Sequence, residues 1–476
     1  MIIHFITAIY LSTTCGSVWC MARYRFPWSE VEKSRRLLLL FTSGHALAMS
    51  ALYFSGSAGG FVPMCVVSGF PLVGWAIWQQ ARRFRFQGDL NVLYIGVLLC
   101  AVGLFMHYRV GSKASKLMAV VSFRGGVPVA VNLALFDVFT FVIISELLFS
   151  GRIGKCLSWI ERRTSYTYWG IVSIAALTVP VLVGGAVGRT KAWLWGASGQ
   201  VSEFGLKLLF PVFLSFFLER HQKEISIPGY PARELGGILV VFLGLVSAFF
   251  LIPLVVFQRE QGSALLIGLT LMAMVTFATR RWYTVLIGLL FLGMAIFGAT
   301  LVDPHTKERI FGAWIDWAKY VRHPFPGSSR FPGWHIATVR AVVESASIYG
   351  SGIGQGVWGR IPAISTDFAV APLLCELGII GLVIVMTCYL LFLKEGLSGG
   401  TERDFKGFLR VSIPVTICCQ GFFQIWAVLG IAPLAGVPLP MISNGGSAAV
   451  CNTILLAVLT ELGKPREIKL AGDNQP

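Results

Sequence analysis

Apolar runs of 18 or more residues recur from one end of this 476-residue chain to the other. A helix rises about 1.5 Å per residue, so a run of that length crosses the roughly 30 Å of hydrocarbon in a bilayer. Composition agrees: 55% of residues are hydrophobic and 13% charged, where a soluble domain carries about a quarter charged residues. The chain is therefore expected to be an all-α polytopic membrane protein. Its formal charge of +16 is then loop charge facing anionic lipid, with membrane lipids as partners and no nucleic acid implied. The 10 cysteines follow no metal or disulfide spacing and mostly sit inside apolar runs, as Cys418 and Cys419 do, so they read as small core hydrophobes.

About 13 apolar segments are expected, at 1–21, 37–56, 60–80, 90–107, 128–150, 168–187, 203–219, 234–257, 264–279, 282–301, 369–393, 408–430 and 445–463. The first is followed by Arg23 and Arg25 and lacks a basic leader and a small-residue cleavage site, so it reads as an uncleaved span. Lys and Arg concentrate in alternate loops, around Arg23 to Arg36, Arg82 to Arg85, Arg152 to Arg163, Arg220 and Lys223, Arg280 and Arg281, and Lys394 to Lys406. The positive-inside bias assigns those loops to the cytoplasm. The 108–127 connection departs from this pattern: it is basic (Arg109, Lys113, Lys116, Arg124), yet it falls on the outer side. The domain reading is an amino-terminal membrane region over 1–85, a core over 86–465 and a cytoplasmic tail over 466–476. One long outer connection, 302–368, carries Trp314, Trp317, Trp334 and Trp358, which suit the membrane interface.

Five places could carry chemistry. Asp367 follows Ser365 and Thr366 at the start of an apolar helical run, which on spacing alone favours an N-cap and is also compatible with a carboxylate that accepts a proton at the membrane edge. Glu376 lies inside that run, and Asp137 and Glu146 lie inside another; acids within spans face a cavity or pair with a buried cation. Lys307 and Arg309 stand just outside a span, where they either anchor it or hold a phosphate-bearing head group. "YGSGIGQG" (349–356) lacks the strand–loop–helix setting of a nucleotide site and reads as a flexible outer loop, a candidate substrate lining. "GIAPLAGVPLPMISNGGSA" (430–448) breaks the apolar pattern with prolines and glycines. It is either an ordinary outer loop or non-helical backbone buried at membrane depth, and the second case argues for a site between helices.

Five strings resemble, in order, the motifs of the SEDS (shape, elongation, division, sporulation) family, RodA/FtsW-like. "GVPLPMISNGGSA" resembles G-[VI]-P-L-P-F-[VI]-S-Y-G-G-S, and "GRTKAWLWGASGQVSEFGLK" resembles G-A-R-R-W followed by Q-P-S-E-[LF]-A-K. "FQREQGSALL" stands where Q-P-D-L-G-T is usual, "DPHTKERIFGAWIDW" resembles P-Y-[RQ]-x-x-R-[IV] with its downstream aromatics, and "IPAISTDFAVAPLLCELGIIG" resembles L-P-E-x-H-T-D-F through E-E-L-G. The resemblance covers roughly 90–465 and implies a ten-helix SEDS-type core, with about three extra amino-terminal transmembrane segments beside it.

The resemblance implies a peptidoglycan glycosyltransferase that polymerises lipid II at the outer face of the bacterial cytoplasmic (inner) membrane, in division or cell-shape maintenance, paired with a class B penicillin-binding protein. On that basis Asp367 is the catalytic candidate. Lys307, Arg309, Glu376, Arg189, Lys191, Ser443, Asn444 and Ser447 are candidates for substrate binding. Gln200, Ser202, Glu203, Glu260, Gly262, Pro438, Pro440, Gly445 and Gly446 complete the motifs as structural positions, and a divalent cation (Mg or Mn) is a candidate cofactor. The chain departs from the family where His becomes Ser365, Tyr becomes Asn444, Pro becomes Val201 and the P-D-L-G string becomes Arg259-Glu260-Gln261-Gly262; Lys207 also falls one place late. Two other functions stay open: a transporter of lipid-linked sugar precursor, and an inactive scaffold for a penicillin-binding protein.

Overall fold

The computed structural model describes residues 2–27, 29–54, 61–114, 129–183, 185–187, 190–194, 199–225, 261–302, 339, 342–356, 361, 364–398, 403–432, 436–443 and 445–464. Two helices, α1 (Ile2–Arg23) and α2 (Val31–Phe54), open the chain and pack antiparallel. Gly44 lies against Thr13 and Gly16 against Leu40, which brings the two backbones close. The segment expected as one span at 60–80 is two helices, α3 (Phe61–Gly69) and α4 (Leu72–Arg83). The break falls at Pro71, which has no N–H to donate and disfavours helical backbone just before it.

α5 (Asn91–Ala114) is the central post: every residue from Asn91 to Tyr108 is buried. That explains why its sequence is apolar all round and not on one stripe. α6 (Val129–Phe149) packs beside it, and at the left-handed Gly151 (φ 74°) the chain bends by 68° into α7 (Arg152–Arg163). This basic loop was not expected to be helical. α7 is amphipathic, burying Leu157 while Arg152, Lys155, Trp159, Arg162 and Arg163 stay exposed.

α8 (Tyr166–Val183) ends sooner than the 168–187 segment predicts, because a small antiparallel sheet follows: β1 (Gly185–Val187), β2 (Thr190–Leu194) and β3 (Gly199–Gln200), in that spatial order. It is the one departure from helix among the regular elements described. Next come α9 (Val201–Phe204), a π-helical turn (Gly205–Leu209) and α10 (Phe210–Ile225). The expected span at 234–257 lies outside the described residues, as do the 466–476 tail and most of the 302–368 connection. α11 (Gln261–Thr279), α12 (Tyr283–Val302), α13 (Val370–Leu397), α14 (Phe405–Val428) and α15 (Gly446–Leu462) complete the description.

Among the described residues five helices are long and apolar enough to cross a membrane, or six if the bent α6–α7 pair is one span. Two main apolar cores meet at α14. Ile413, Ile417 and Ile425 face a core built from α1–α7, α13 and α15, whereas Phe408, Val411 and Val415 face one built from α8, α10 and α11. α14 therefore ties the two cores together.

Candidate functional site

Asp367 lies in a tight turn over 364–369 at the head of α13. The N-cap of α13 is Ala369, in helical conformation and with no side-chain cap of its own, two residues past Asp367. Two neighbours hold the turn by its backbone. Gln424 of α14 donates its Nε2 to the Asp367 carbonyl, and Ser443 Oγ donates to the Thr366 carbonyl at 2.8 Å. The Asp367 carboxylate lies over Gly436, at whose Cα an added Cβ would stand 3.7 Å from Oδ2.

Under that carboxylate runs the non-helical stretch 436–443. It is buried backbone, not an ordinary outer loop: Val437, Leu439, Met441 and Ile442 are all inaccessible. Backbone without regular structure survives at such depth only when its polar groups find partners in the protein. Here side chains from three helices supply them. Gln420 Nε2 donates to the Pro438 carbonyl (2.7 Å), Tyr389 OH to Pro440 (2.8 Å), and His107 Nε2 to Ile442 (2.9 Å). The loop closes on itself through Leu439 N–H to Ser443 Oγ at 2.8 Å and Ser443 N–H to the Leu439 carbonyl at 2.9 Å. Pro438 and Pro440 thus sit where their carbonyls are wanted and their missing N–H groups are not.

Behind the loop is a small cleft lined by Asp137, Lys207, Ser443, Asn452, Thr453 and residues 438–442. Lys207 Nζ pairs with Glu203 Oε2 at 2.5 Å, both side chains almost fully buried, and lies 3.4 Å from Asn452 Oδ1. The π-helical turn accounts for the late Lys207. A π-turn holds one more residue than an α-turn, so the extra residue is absorbed and the ammonium still reaches the carboxylate. Asp137, 5% exposed, faces the same cleft, and no described residue hydrogen-bonds its carboxylate. Neither Asp367 nor Glu376 lines it.

Glu376 is wholly enclosed in protein, next to a break in α13 at Gly378 (φ 66°, ψ −161°). The glycine-rich strand fills the break: Ser351 N–H and Oγ reach the Cys375 carbonyl (2.8 Å each), and Gly352 N–H the Glu376 carbonyl (3.2 Å). In return Ile379 and Ile380 donate to the Ser347 and Ile348 carbonyls. This stretch, expected as a flexible outer loop, is held in place as a plug for a broken helix.

Among the other expected positions, Gly445 caps α15, Gly446 and Ser447 open it, and Gly262 is buried at the start of α11. The backbones of Lys191, Gln200 and Ser202 lie on β2, β3 and α9. Arg189, Glu260, Lys307, Arg309 and Asn444 lie outside the described residues. Among the described residues no three His, Cys, Asp or Glu side chains gather to hold a metal ion. Sequence reasoning missed Gln420, Gln424, His107 and Asn452. Their signal was available, since each is a polar residue inside an apolar run.

The model of the cell cycle protein family of FtsW, RodA and SpoVE matches residues 89–467. The peptidoglycan glycosyltransferase RodA of Mycobacterium tuberculosis is 28% identical over 310 residues, 62% of this chain and 62% of that protein. The chain therefore spans less than two thirds of that relative's length. RodA of Mycobacterium leprae is 26% identical over 451 residues (92% and 91%), and a probable peptidoglycan glycosyltransferase FtsW of Coxiella burnetii 25% over 410 (82% and 100%). The fold is shared with solved structures. A chain of a peptidoglycan synthase complex covers 80% of this one at TM-score 0.54 and 19% identity, with 100% of that chain matched. Thermus thermophilus RodA covers 80% at TM-score 0.50 and 14% identity, with 99% of it matched. With motifs in order, this helical fold and a family match over most of its length, the chain belongs to the FtsW/RodA/SpoVE family of cell cycle proteins.

Proposed function

We propose that this protein is a peptidoglycan glycosyltransferase that polymerises lipid II at the outer face of the bacterial cytoplasmic membrane. One observation carries the reading: the Asp367 carboxylate stands at the helix head on a turn clamped from α14 and from the buried 436–443 loop. A base must be held still at the point where the acceptor's proton leaves, and this clamp does that. In the reaction the acceptor's 4-hydroxyl oxygen forms a bond to the donor anomeric carbon with inversion. The bond from that carbon to the lipid pyrophosphate breaks, the pyrophosphate leaves with the electron pair, and the hydroxyl proton passes to Asp367. Lys307 and Arg309, in the outer connection, are the cations we assign to the departing charge. A class B penicillin-binding protein is the expected partner, in keeping with the synthase complex that shares the fold.

The test is glycan-strand formation from lipid II by the purified protein with its partner. Asp367→Asn and Asp367→Ala are expected to slow it by about 10²-fold or more while leaving the fold intact. Wild-type rates from either variant would sink Asp367 as the base. A transporter is the second reading, favoured by the buried Asp137 and Lys207 that line one cleft between helices. It requires Asp137→Asn to stop movement of a fluorescent lipid II across vesicles while Asp367→Asn does not.

A further inference from the structure

The first helices lie outside the 89–467 match, yet α1 is bonded to the core near both of its ends. We propose that Thr7 of α1 is a positioning residue for the outer loop that leads to Asp367, an inference that rests on the glycosyltransferase reading above. The Thr7 hydroxyl accepts the Ile353 N–H at 2.9 Å and donates to the Ile3 carbonyl at 2.8 Å, so both of its roles are taken. Ile353 is 1% exposed, and water cannot replace Thr7 as the acceptor for that N–H. Next to it, Gly352 (φ 96°) presses against α1: a Cβ there would stand 3.3–3.5 Å from Ile3, His4 and Thr7. Gly352 N–H in turn bonds the Glu376 carbonyl, and Ser351 the Cys375 carbonyl. A continuous path of bonds therefore runs from α1, through 351–353, into the broken first turns of α13, the helix that Asp367 precedes.

At its other end α1 is pinned just as firmly. Lys394 Nζ, at the far end of α13, donates to the Ala22 carbonyl at 2.7 Å. Asn91 Nδ2 donates to Met21 (3.1 Å) and Tyr24 (3.0 Å), and Phe26 N–H donates to Asp89 Oδ1 (2.9 Å). Held near both ends, α1 can neither slide nor tilt without dragging the loop. It acts as a post against which α13 is set, a part the family-matched region does not itself contain.

The experiment compares Thr7→Val, which keeps shape and loses the acceptor, with Thr7→Ser, which keeps the acceptor; Thr7→Ala replaces the valine variant should it fail to fold. Hydrogen exchange over 349–356 is read in the full-length protein in nanodiscs, beside lipid II turnover. Thr7→Val is expected to exchange about tenfold faster at Ile353. Its kcat should fall by about ten- to a hundredfold with KM nearly unchanged, and Thr7→Ser should restore both. Unchanged exchange in Thr7→Val overturns the inference, as does faster exchange with normal kcat, or a loss that serine does not rescue. If the wild type makes no polymer, the glycosyltransferase reading fails, while the exchange arm still decides whether Thr7 holds the loop.

Discussion

Gly378→Ala should be among the most damaging single-methyl additions in the molecule. Gly378 has φ 66° and ψ −161°, a region of backbone space that is essentially glycine-only. Holding an L-residue there costs about 1–3 kcal/mol before any contact is counted. The added Cβ would also lie 2.3 Å from Gly350 N, 2.4 Å from the Ile348 oxygen and 2.5 Å from the Ser347 oxygen. All three are backbone atoms of the plug, so none can swing aside as a side chain would. Relief requires the 347–352 strand to leave the break, which gives up four backbone hydrogen bonds, those of Ser351, Gly352, Ile379 and Ile380. At about 0.5–1.5 kcal/mol each, with strain added, the cost exceeds about 3 kcal/mol. Melting of the purified protein followed by tryptophan fluorescence measures it, with Gly293→Ala on α12 as the control. No atom lies within 4 Å of a Cβ built there, so that variant should be neutral or slightly more stable. If Gly378→Ala melts with the control and 347–352 stays protected from exchange, the plug argument is wrong.

Removing either half of the Glu203–Lys207 pair, as in Lys207→Met or Glu203→Leu, strands a buried charge and should cost about 3–5 kcal/mol. The double variant should recover part of that, and strict additivity in melting would refute the coupling. Tyr389→Phe removes the donor to the Pro440 carbonyl and should destabilise by about 1–3 kcal/mol, loosening exchange over 437–443. Burial raises the Asp89 carboxyl against the hydrogen bonds from Phe26 and Asn91 and the nearby Arg25 charge, so the folded state keeps that proton to higher pH than the unfolded chain does. Its contribution to stability is then present at low pH and is lost as pH climbs from about 4 through the raised folded value. Asp89→Asn should flatten the melting profile across that window, and an unchanged slope would refute the assignment.

Much of the site could be read from the chain in advance, but unevenly. The prolines and glycines of 430–448 signalled broken backbone because they cannot continue a helix, and over the described 436–443 most residues are buried, with the Pro438 and Pro440 carbonyls partnered. Asp367 was legible as a carboxylate at a helix head; the anchorage of its turn to Gln424 and Ser443 was not, because those residues lie 57 and 77 positions from the carbonyls they hold. The late Lys207 read as a defect in a motif until the π-helical turn showed how an inserted residue is absorbed. The "YGSGIGQG" stretch read as flexible, since glycines lower the cost of any conformation; only contact with α13 shows that they were needed for close approach.

What the sequence determined by itself was the solvent: runs of apolar residues commit the chain to hydrocarbon and its backbone to helices, because length and hydropathy are local properties. Motif order likewise determined the family, since the residues that carry it are read one after another. Where helices break, which buried polar groups face one another, and how Thr7 of α1 comes to brace a loop 346 positions later were decided only in three dimensions. Those outcomes depend on which backbone carbonyl lies next to which distant donor, and no local pattern encodes a pairing across hundreds of residues.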